Sequence, residues 1–125
     1  MEFKNLKVMI LDDEKRIRDE LTEYLERKKS AVYTADRPST AFHILKNTHV
    51  DLLFLDLALP EMDGIHVLKK IKRLLPEINV IMISGNDNLD VRKEAKLNGA
   101  VDFLSKPFLH NEVRHAIECL KLNHV

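Results

Sequence analysis

The chain has 125 residues, a length typical of one compact domain and too short for two ordinary ones. About 45% of the residues are hydrophobic, which is enough for a core and argues against a disordered chain. Twenty basic residues balance 20 acidic ones, so the net charge is zero, which speaks against a protein that coats nucleic acid or binds membranes through positive charge.

Three continuous apolar runs predict strands that are buried on both faces. They cover residues 8–11, 52–55 and 80–83, and each is bounded by polar or turn residues. Two mixed segments, residues 31–35 and 101–104, combine apolar residues with small, polar or charged ones. Such mixed segments suit strands at the edges of a sheet.

Amphipathic stretches lie between the strands, with apolar residues at the spacing of a helix. Their apolar faces are Ile17, Leu21, Tyr24 and Leu25; Ala41, Phe42 and Leu45; Ile65, Leu68, Ile71 and Leu75; and Val113, Ala116, Ile117 and Leu120. Asn111 is the expected N-cap of the last helix. Residues 88–98 have the weakest apolar face, so we expect the fourth helix to be the most easily displaced element.

Strand and helix alternate five times, which predicts an α/β fold with a parallel sheet covered on both faces. Right-handed crossovers leave few topologies, and the three apolar strands belong in the interior of the sheet. We therefore expect a doubly wound (βα)5 domain over residues 1–125, with strand order 2-1-3-4-5.

Polar residues follow four of the predicted strands at the edge where such folds bind ligands. They are Asp12, Asp13 and Glu14 after the first strand, Asp56 after the third, Ser84 after the fourth and Lys106 after the fifth. Each residue alone could be a turn former, a helix cap or a solvated charge. Their convergence on one edge predicts a functional site.

Three crowded carboxylates repel one another, which raises the pKa of at least one of them unless a cation compensates. Mg²⁺ is the natural compensator because it prefers oxygen ligands and keeps water and phosphate oxygens around it. A nearby lysine can pair with a carboxylate at rest and with a phosphoryl group later. The pattern therefore predicts a Mg²⁺ site in which an aspartate becomes an acyl phosphate.

From Lys7 to about Leu122 the sequence resembles a receiver domain of a two-component response regulator, a family with a flavodoxin-like fold. The turn at residues 59–64 (LPEMDG) is similar to the Pro-x-Met-Asp-Gly turn of that family. The other matching positions are the acidic pair Asp12 and Asp13, the phosphoacceptor Asp56, the hydroxyl residue Ser84, the switch aromatic Phe103 and the pair Lys106-Pro107.

The resemblance implies a role for each matched residue. Asp13, Asp56 and the backbone carbonyl of Ala58 would bind Mg²⁺, and Asp12 would act largely through water. Asp56 would take a phosphoryl group from a sensor histidine kinase or a phosphotransfer protein. Ser84 and Lys106 would then hold the phosphoryl oxygens, and the Lys106-Pro107 peptide would be cis. The domain would catalyse its own phosphorylation and dephosphorylation while serving mainly as a switch.

The resemblance also implies a signalling surface formed by the fourth helix, the fifth strand and the fifth helix. Phosphorylation would draw Ser84 inward, and the Phe103 ring would turn from an exposed to a buried position. The altered surface would signal to an output domain, possible transcription regulation included, or to a partner or a second copy. Direct nucleic-acid binding by this domain and membrane contact are not expected.

Two positions depart from the commonest family pattern, and both bear on the alternatives. Ala58 has no polar side chain, and Asn86 lies two residues beyond Ser84; these neighbours influence the lifetime of the acyl phosphate. Haloacid-dehalogenase-like phosphatases also use an aspartate and Mg²⁺, but they need a carboxylate at the position of Ala58. A carrier of flavin mononucleotide would need a hydroxyl- and glycine-rich loop where this chain has Asp12 and Asp13. A receiver-like module that binds partners without phosphorylation is the remaining alternative.

The remaining signals point to no second function. Cys119 is the sole cysteine, so an internal disulfide is excluded, and the six histidines lack zinc-ligand spacing. No apolar run approaches the roughly 20 residues of a spanning helix, and no signal peptide is evident. We expect a soluble, cytoplasmic protein that is either a stand-alone receiver or a fragment of a larger regulator.

Overall fold

The computed structural model describes residues 3–86 and 88–120, along which five strands and five helices alternate. The expectations that involve Leu122 and His124 lie outside these residues. The strands are β1 (Lys7–Leu11), β2 (Ala31–Ala35), β3 (Leu52–Asp56), β4 (Asn79–Ser84) and β5 (Asp102–Ser105). The helices are α1 (Lys15–Arg27), α2 (Pro38–Asn47), α3 (Gly64–Leu74), α4 (Leu89–Leu97) and α5 (His110–Glu118).

The sheet is parallel throughout, with strand order β2-β1-β3-β4-β5, as the sequence predicts. Leu11 lies opposite Leu55, so the carboxyl ends of β1 and β3 are neighbours. Ser84 lies opposite Ser105, which aligns the ends of β4 and β5 in the same way. This register brings the polar residues that end or directly follow these four strands to one edge of the sheet.

The sheet divides the hydrophobic core into two clusters because successive side chains of a strand point to opposite faces. Leu53 and Leu55 pack on one face in a cluster that includes residues of α2, α3 and α4. Leu52 and Phe54 pack on the other face with residues of α1 and α5. All five residues of β3 are buried, which explains its continuous apolar run.

Helix α4 is the least firmly packed helix, as its weak apolar face predicts. Ala95 is its only buried residue, and every position of α4 belongs to the part of the chain described here. Leu89 and Leu97 are 64% and 87% exposed, so most of its apolar surface faces solvent. Few buried contacts make an element easier to displace.

Helix α5 begins at His110, and the prediction of an N-cap at Asn111 is wrong. The residue before the helix is Leu109, and its N–H donates to Glu112 Oε1 at 2.8 Å. A glutamate inside the first turn therefore satisfies the backbone N–H of the residue that precedes the helix. Cys119 follows α5 and is exposed. None of the helices formed by residues 3–86 and 88–120 is long and apolar enough to cross a membrane.

Candidate functional site

The site begins in the turn between β1 and α1, which two hydrogen bonds to Asp12 hold in place. The Glu14 N–H donates to Asp12 Oδ1 at 2.8 Å. Arg18, one turn into α1, donates from Nη1 to the Asp12 carbonyl oxygen at 2.8 Å. The backbone of the acidic pair is therefore fixed at the edge of the sheet.

Three carboxylates meet at this edge. Asp12, Asp13 and Asp56 each offer an oxygen, and these oxygens all lie within 4.8 Å of one another. Asp12 is fully buried and Asp56 is 3% exposed, whereas Asp13 is open to solvent. The structure thus brings together the three acidic residues that the sequence analysis singled out, with one of them at the entrance.

The Lys106 ammonium group lies among these carboxylates. Its Nζ is 2.7 Å from Asp12 Oδ2, 2.8 Å from Glu14 Oε1 and 3.5 Å from Asp56 Oδ1. The contact with Asp12 Oδ2 is an ion pair without hydrogen-bond geometry, which leaves that oxygen able to accept another hydrogen bond. The Lys106-Pro107 peptide bond is cis.

Burial and charge shift the pKa values of these groups in opposite directions. Burial, with the neighbouring Asp12 charge second, raises the pKa of Asp56 to about 7, although Lys106 and the Ala58 N–H oppose the shift. Burial alone would lower the pKa of Lys106. Its contacts with Asp12 and Glu14 and the charge of Asp56 outweigh that effect, so the Lys106 pKa is raised. The hydrogen bond from Lys106 lowers the pKa of Glu14.

Ser84 lines the same cleft as Asp56. Its side chain is buried, and its Oγ accepts a hydrogen bond from the Asn86 N–H at 2.9 Å. The Ala58 N–H lies 3.4 Å from Asp56 Oδ1, a long hydrogen bond. Ser84, Ala58 and Lys106 all line the cleft with Asp56.

Gly64 is required at the start of α3 because the backbone of β3 passes too close for a side chain. A Cβ at this position would lie 2.4 Å from the Asp56 carbonyl oxygen and 2.6 Å from Leu57 Cα. The Gly64 N–H donates to the Leu57 carbonyl at 2.8 Å. This hydrogen bond closes the loop between β3 and α3, which contains Ala58, and the close approach of the two backbones requires glycine at position 64.

The Phe103 ring is buried, which differs from the exposed resting position that the resemblance implies. The residue is 8% exposed and belongs to the cluster on the α2, α3 and α4 side of the sheet. The Arg92 guanidinium carbon lies 4.7 Å from the ring centroid and covers it. Packing in this cluster and the arginine over the ring both contribute to the burial, and a pattern of apolar residues reveals neither contact.

Sequence reasoning missed two contacts of the site. Glu14 stands in the sequence as part of an acidic run, but its ion pair with Lys106 joins residues far apart in the chain. Arg92 contacts both Phe103 and Ser105, and only the packing of α4 against β5 brings these residues together. The position of Glu14 directly after the acidic pair is the one feature of the sequence that could have placed it near the site.

The arrangement defines a class of site: an acidic, all-oxygen pocket with a buried aspartate and a lysine at the point where the strand order reverses. Oxygen ligands suit Mg²⁺, and the lysine and a hydroxyl can hold an anionic group beside the aspartate. Phosphoryl transfer to an aspartate needs these parts.

The family follows from comparison with known proteins. The model of the response regulator receiver domain family matches residues 8–118. This match covers most of the chain, so the protein belongs to the response regulator receiver domain family.

Two curated relatives support the assignment at different lengths. The chain is 34% identical over 114 residues to sporulation initiation phosphotransferase F of Bacillus subtilis, and the match covers 91% of this chain and 92% of that protein. It is also 34% identical over 113 residues to the transcriptional regulatory protein SrrA of Staphylococcus aureus. That match covers 90% of this chain but only 46% of SrrA, so the chain spans about half of this relative.

A solved structure agrees with the fold. The response regulator receiver domain protein (CheY-like) from Methanospirillum hungatei superimposes with a TM-score of 0.86 at 26% identity, covering 90% of each chain. The flavodoxin-like fold and the receiver assignment predicted from the sequence are therefore confirmed, and the chain is a receiver domain of two-component phosphorelay type.

Proposed function

We propose that residues 1–125 form one receiver domain in which Asp56 accepts a phosphoryl group from a phosphohistidine. The donor would be a sensor histidine kinase or a phosphotransfer protein, and the reaction would take place in the cytoplasm. An Asp56 oxygen attacks phosphorus, the phosphorus–nitrogen bond breaks, and the histidine nitrogen leaves with the bonding electrons. The observation that carries the proposal is the buried Asp56 carboxylate beside Asp12, with the Lys106 ammonium 3.5 Å away.

The donor set fits a hard divalent cation. Asp13, Asp56 and the Ala58 carbonyl would hold Mg²⁺ directly, and Asp12 Oδ2 would accept a hydrogen bond from a metal-bound water. When bound, Mg²⁺ neutralises the carboxylates and the incoming phosphoryl oxygens. Because the pKa of Asp56 is about 7 without a cation, its proton must leave before the oxygen can act as a nucleophile.

Ser84 and Lys106 are the residues that would hold the transferred group. The Ser84 oxygen accepts from the Asn86 N–H, which leaves its hydroxyl hydrogen free to donate to a phosphoryl oxygen. Lys106 shares its charge among three carboxylates, so a dianionic phosphoryl group on Asp56 would draw it toward the product. The two side chains act as donors for the group that Asp56 carries.

We further propose that the phosphorylated domain signals through the surface of α4, β5 and α5. An attached output domain, as the name of SrrA suggests for that relative, or a separate partner or second copy would read this surface. The name of the Bacillus relative suggests phosphoryl transfer to a further protein as another output. The full length of the gene product distinguishes an attached output from a separate one.

Acetyl phosphate with Mg²⁺ tests the chemistry directly. Intact mass spectrometry should find one added phosphoryl group on the unaltered protein and none on Asp56→Asn. Asp51→Asn is the matched control, because Asp51 precedes the same strand at its opposite end and should leave labelling unchanged. Undiminished labelling of Asp56→Asn would overturn the assignment, and no labelling of the unaltered protein would favour a module that works without phosphorylation.

A further inference from the structure

We propose that Arg92 is a positioning residue that holds the Phe103 ring buried and ties α4 to β5, so that the chain favours the conformation that retains a phosphoryl group on Asp56. This inference rests on the function proposed for Asp56. It adds a residue of α4 to the machinery, outside the acidic pocket and outside the cleft.

One guanidinium group makes two contacts with β5. Its carbon lies 4.7 Å from the Phe103 ring centroid, within the range of a cation–π interaction. Its Nη2 donates to Ser105 Oγ at 3.2 Å. Phe103 and Ser105 are two residues apart on the strand, so their side chains share one face, and a single planar group can reach both.

The contacted strand leads directly to the phosphoryl-holding groups. Ser105 lies opposite Ser84 in the sheet and immediately precedes Lys106. The Lys106 N–H also donates to the Ser84 carbonyl at 2.7 Å. A displacement of β5 at Ser105 would therefore move the backbone that positions both proposed phosphoryl donors.

Helix α4 buries little apolar surface, so specific polar contacts such as those of Arg92 matter for its position. Ala95 is the one buried residue of this fully described helix, and Val91 is only partly buried. Leu89 and Leu97 face solvent. The arginine therefore adds two specific contacts with β5 to a helix that buries little apolar surface.

A two-state equilibrium fixes the sign of the effect. The structure has the Phe103 ring buried, the position that phosphorylation of Asp56 is expected to favour. If Arg92 and a phosphoryl group stabilise the same conformation, removing Arg92 must weaken the binding of a phosphoryl mimic. The cation–π contact with Phe103 and the hydrogen bond to Ser105 together give an expected weakening of about 5–30-fold.

Beryllofluoride, a phosphoryl mimic, provides the test in the presence of saturating Mg²⁺. Its dissociation constant is measured by calorimetry for the unaltered chain, Arg92→Ala and Arg92→Gln. Glutamine keeps a donor for Ser105 but removes the charge over Phe103, so its effect should be intermediate. Lys93→Ala is the control, because Lys93 is an exposed basic residue of the same helix and should bind the mimic like the unaltered chain.

A double-mutant cycle separates positioning from a general loss of helix packing. Phe103→Leu keeps apolar volume but removes the aromatic face, so Arg92→Gln should weaken mimic binding much less in that background. Equal or tighter binding by Arg92→Ala and Arg92→Gln would overturn the inference, and so would an effect of Arg92→Gln that persists undiminished in the Phe103→Leu background. If the unaltered chain itself fails to bind the mimic, the function proposed for Asp56 fails first.

Discussion

Two aspartates lie at opposite ends of β3, and their carboxylates differ in their hydrogen-bond partners. Asp51 precedes the strand, and its carboxylate accepts the Lys7 N–H at 2.9 Å and contacts His49 Nε2 at 2.8 Å. Asp56 ends the strand, with a long hydrogen bond from Ala58 at 3.4 Å and Lys106 at 3.5 Å. Each carboxylate is near a cation or a donor, but only that of Asp51 has short contacts to both oxygens.

The difference separates a carboxylate that joins two strands from one whose surroundings fit the proposed reaction. Asp51 uses its oxygens to join the start of β1 to the start of β3, and its own carbonyl accepts the Asn79 N–H. Asp56 is more deeply buried yet less completely satisfied, and burial raises its pKa to about 7. A buried charge that lacks short hydrogen bonds is costly to the fold and available to a ligand. Four predictions test this contrast.

The largest expected effect concerns the pH dependence of stability without metal. The folded pKa of Asp56 lies above its ordinary value of 3.8, so the folded state binds more protons between those two values. The Asp56 contribution to stability is therefore present at low pH and is lost as the pH rises from about 4 through about 7.

Asp56→Asn should remove this loss. Its stability advantage over the unaltered chain should grow across that window, reach up to about 4 kcal/mol and stay constant above it. Urea unfolding in the presence of a chelator, at a series of pH values, measures the difference. A constant difference across the series would show that the ionised Asp56 carboxylate carries no cost, which contradicts the contrast with Asp51.

Mg²⁺ should stabilise the chain by binding at the Asp56 end alone. At a concentration 100 times its dissociation constant, linkage gives about 2.7 kcal/mol. Asp51→Asn should keep this stabilisation, whereas Asp13→Asn should lose most of it because the entrance carboxylate is gone. Thermal unfolding with and without Mg²⁺ measures the shift, and equal shifts in both variants would place the cation elsewhere.

Asp51→Ala should lower the free energy of unfolding without affecting phosphorylation by acetyl phosphate. The substitution removes the acceptor of the Lys7 N–H and the partner of His49, and we expect a loss of about 1–2 kcal/mol. Urea unfolding gives the free energy, and acetyl phosphate labelling gives the activity. A large loss of labelling in a folded Asp51→Ala protein would break the separation between the two ends.

Glu14→Gln should have the smallest effect. Glu14 is half exposed, and ion pairs with such exposure contribute about 0–1 kcal/mol. Lys106 would keep its contacts with Asp12 and Asp56, so phosphorylation should persist. A stability change well above this range, measured by the same unfolding experiment, would mean that Glu14 holds Lys106 more firmly than its exposure suggests.

Much of this molecule could be predicted from the sequence because its signals are local and repeated. The run at residues 52–55 is apolar throughout because both faces of β3 are covered, and the same reasoning located β1 and β4. Once the order of strands followed from that pattern, the positions of Asp12 and Asp56 at one edge followed as well. The roles assigned to the individual site residues stay predictions.

The features that escaped prediction depend on long side chains that reach across elements. Glu14 and Lys106 meet only because β1 and β5 end at the same edge of the sheet. The burial of Phe103 depends on where the Arg92 guanidinium comes to rest, and the start of α5 depends on Glu112 reaching back to Leu109. Periodicity does not encode such contacts.

The division of the core by the sheet has a consequence for recognition. Phe103 packs on the side of α2, α3 and α4, whereas α1 and α5 pack in the cluster on the other side. The five-stranded sheet therefore separates Phe103 from α1, although α5, which packs on the same side as α1, belongs to the proposed signalling surface. If phosphorylation rearranges the surroundings of Phe103 as proposed, we expect a protein that docks on α1 to meet a surface that changes little, so recognition of a phosphoryl donor there would be separable from recognition of the altered surface.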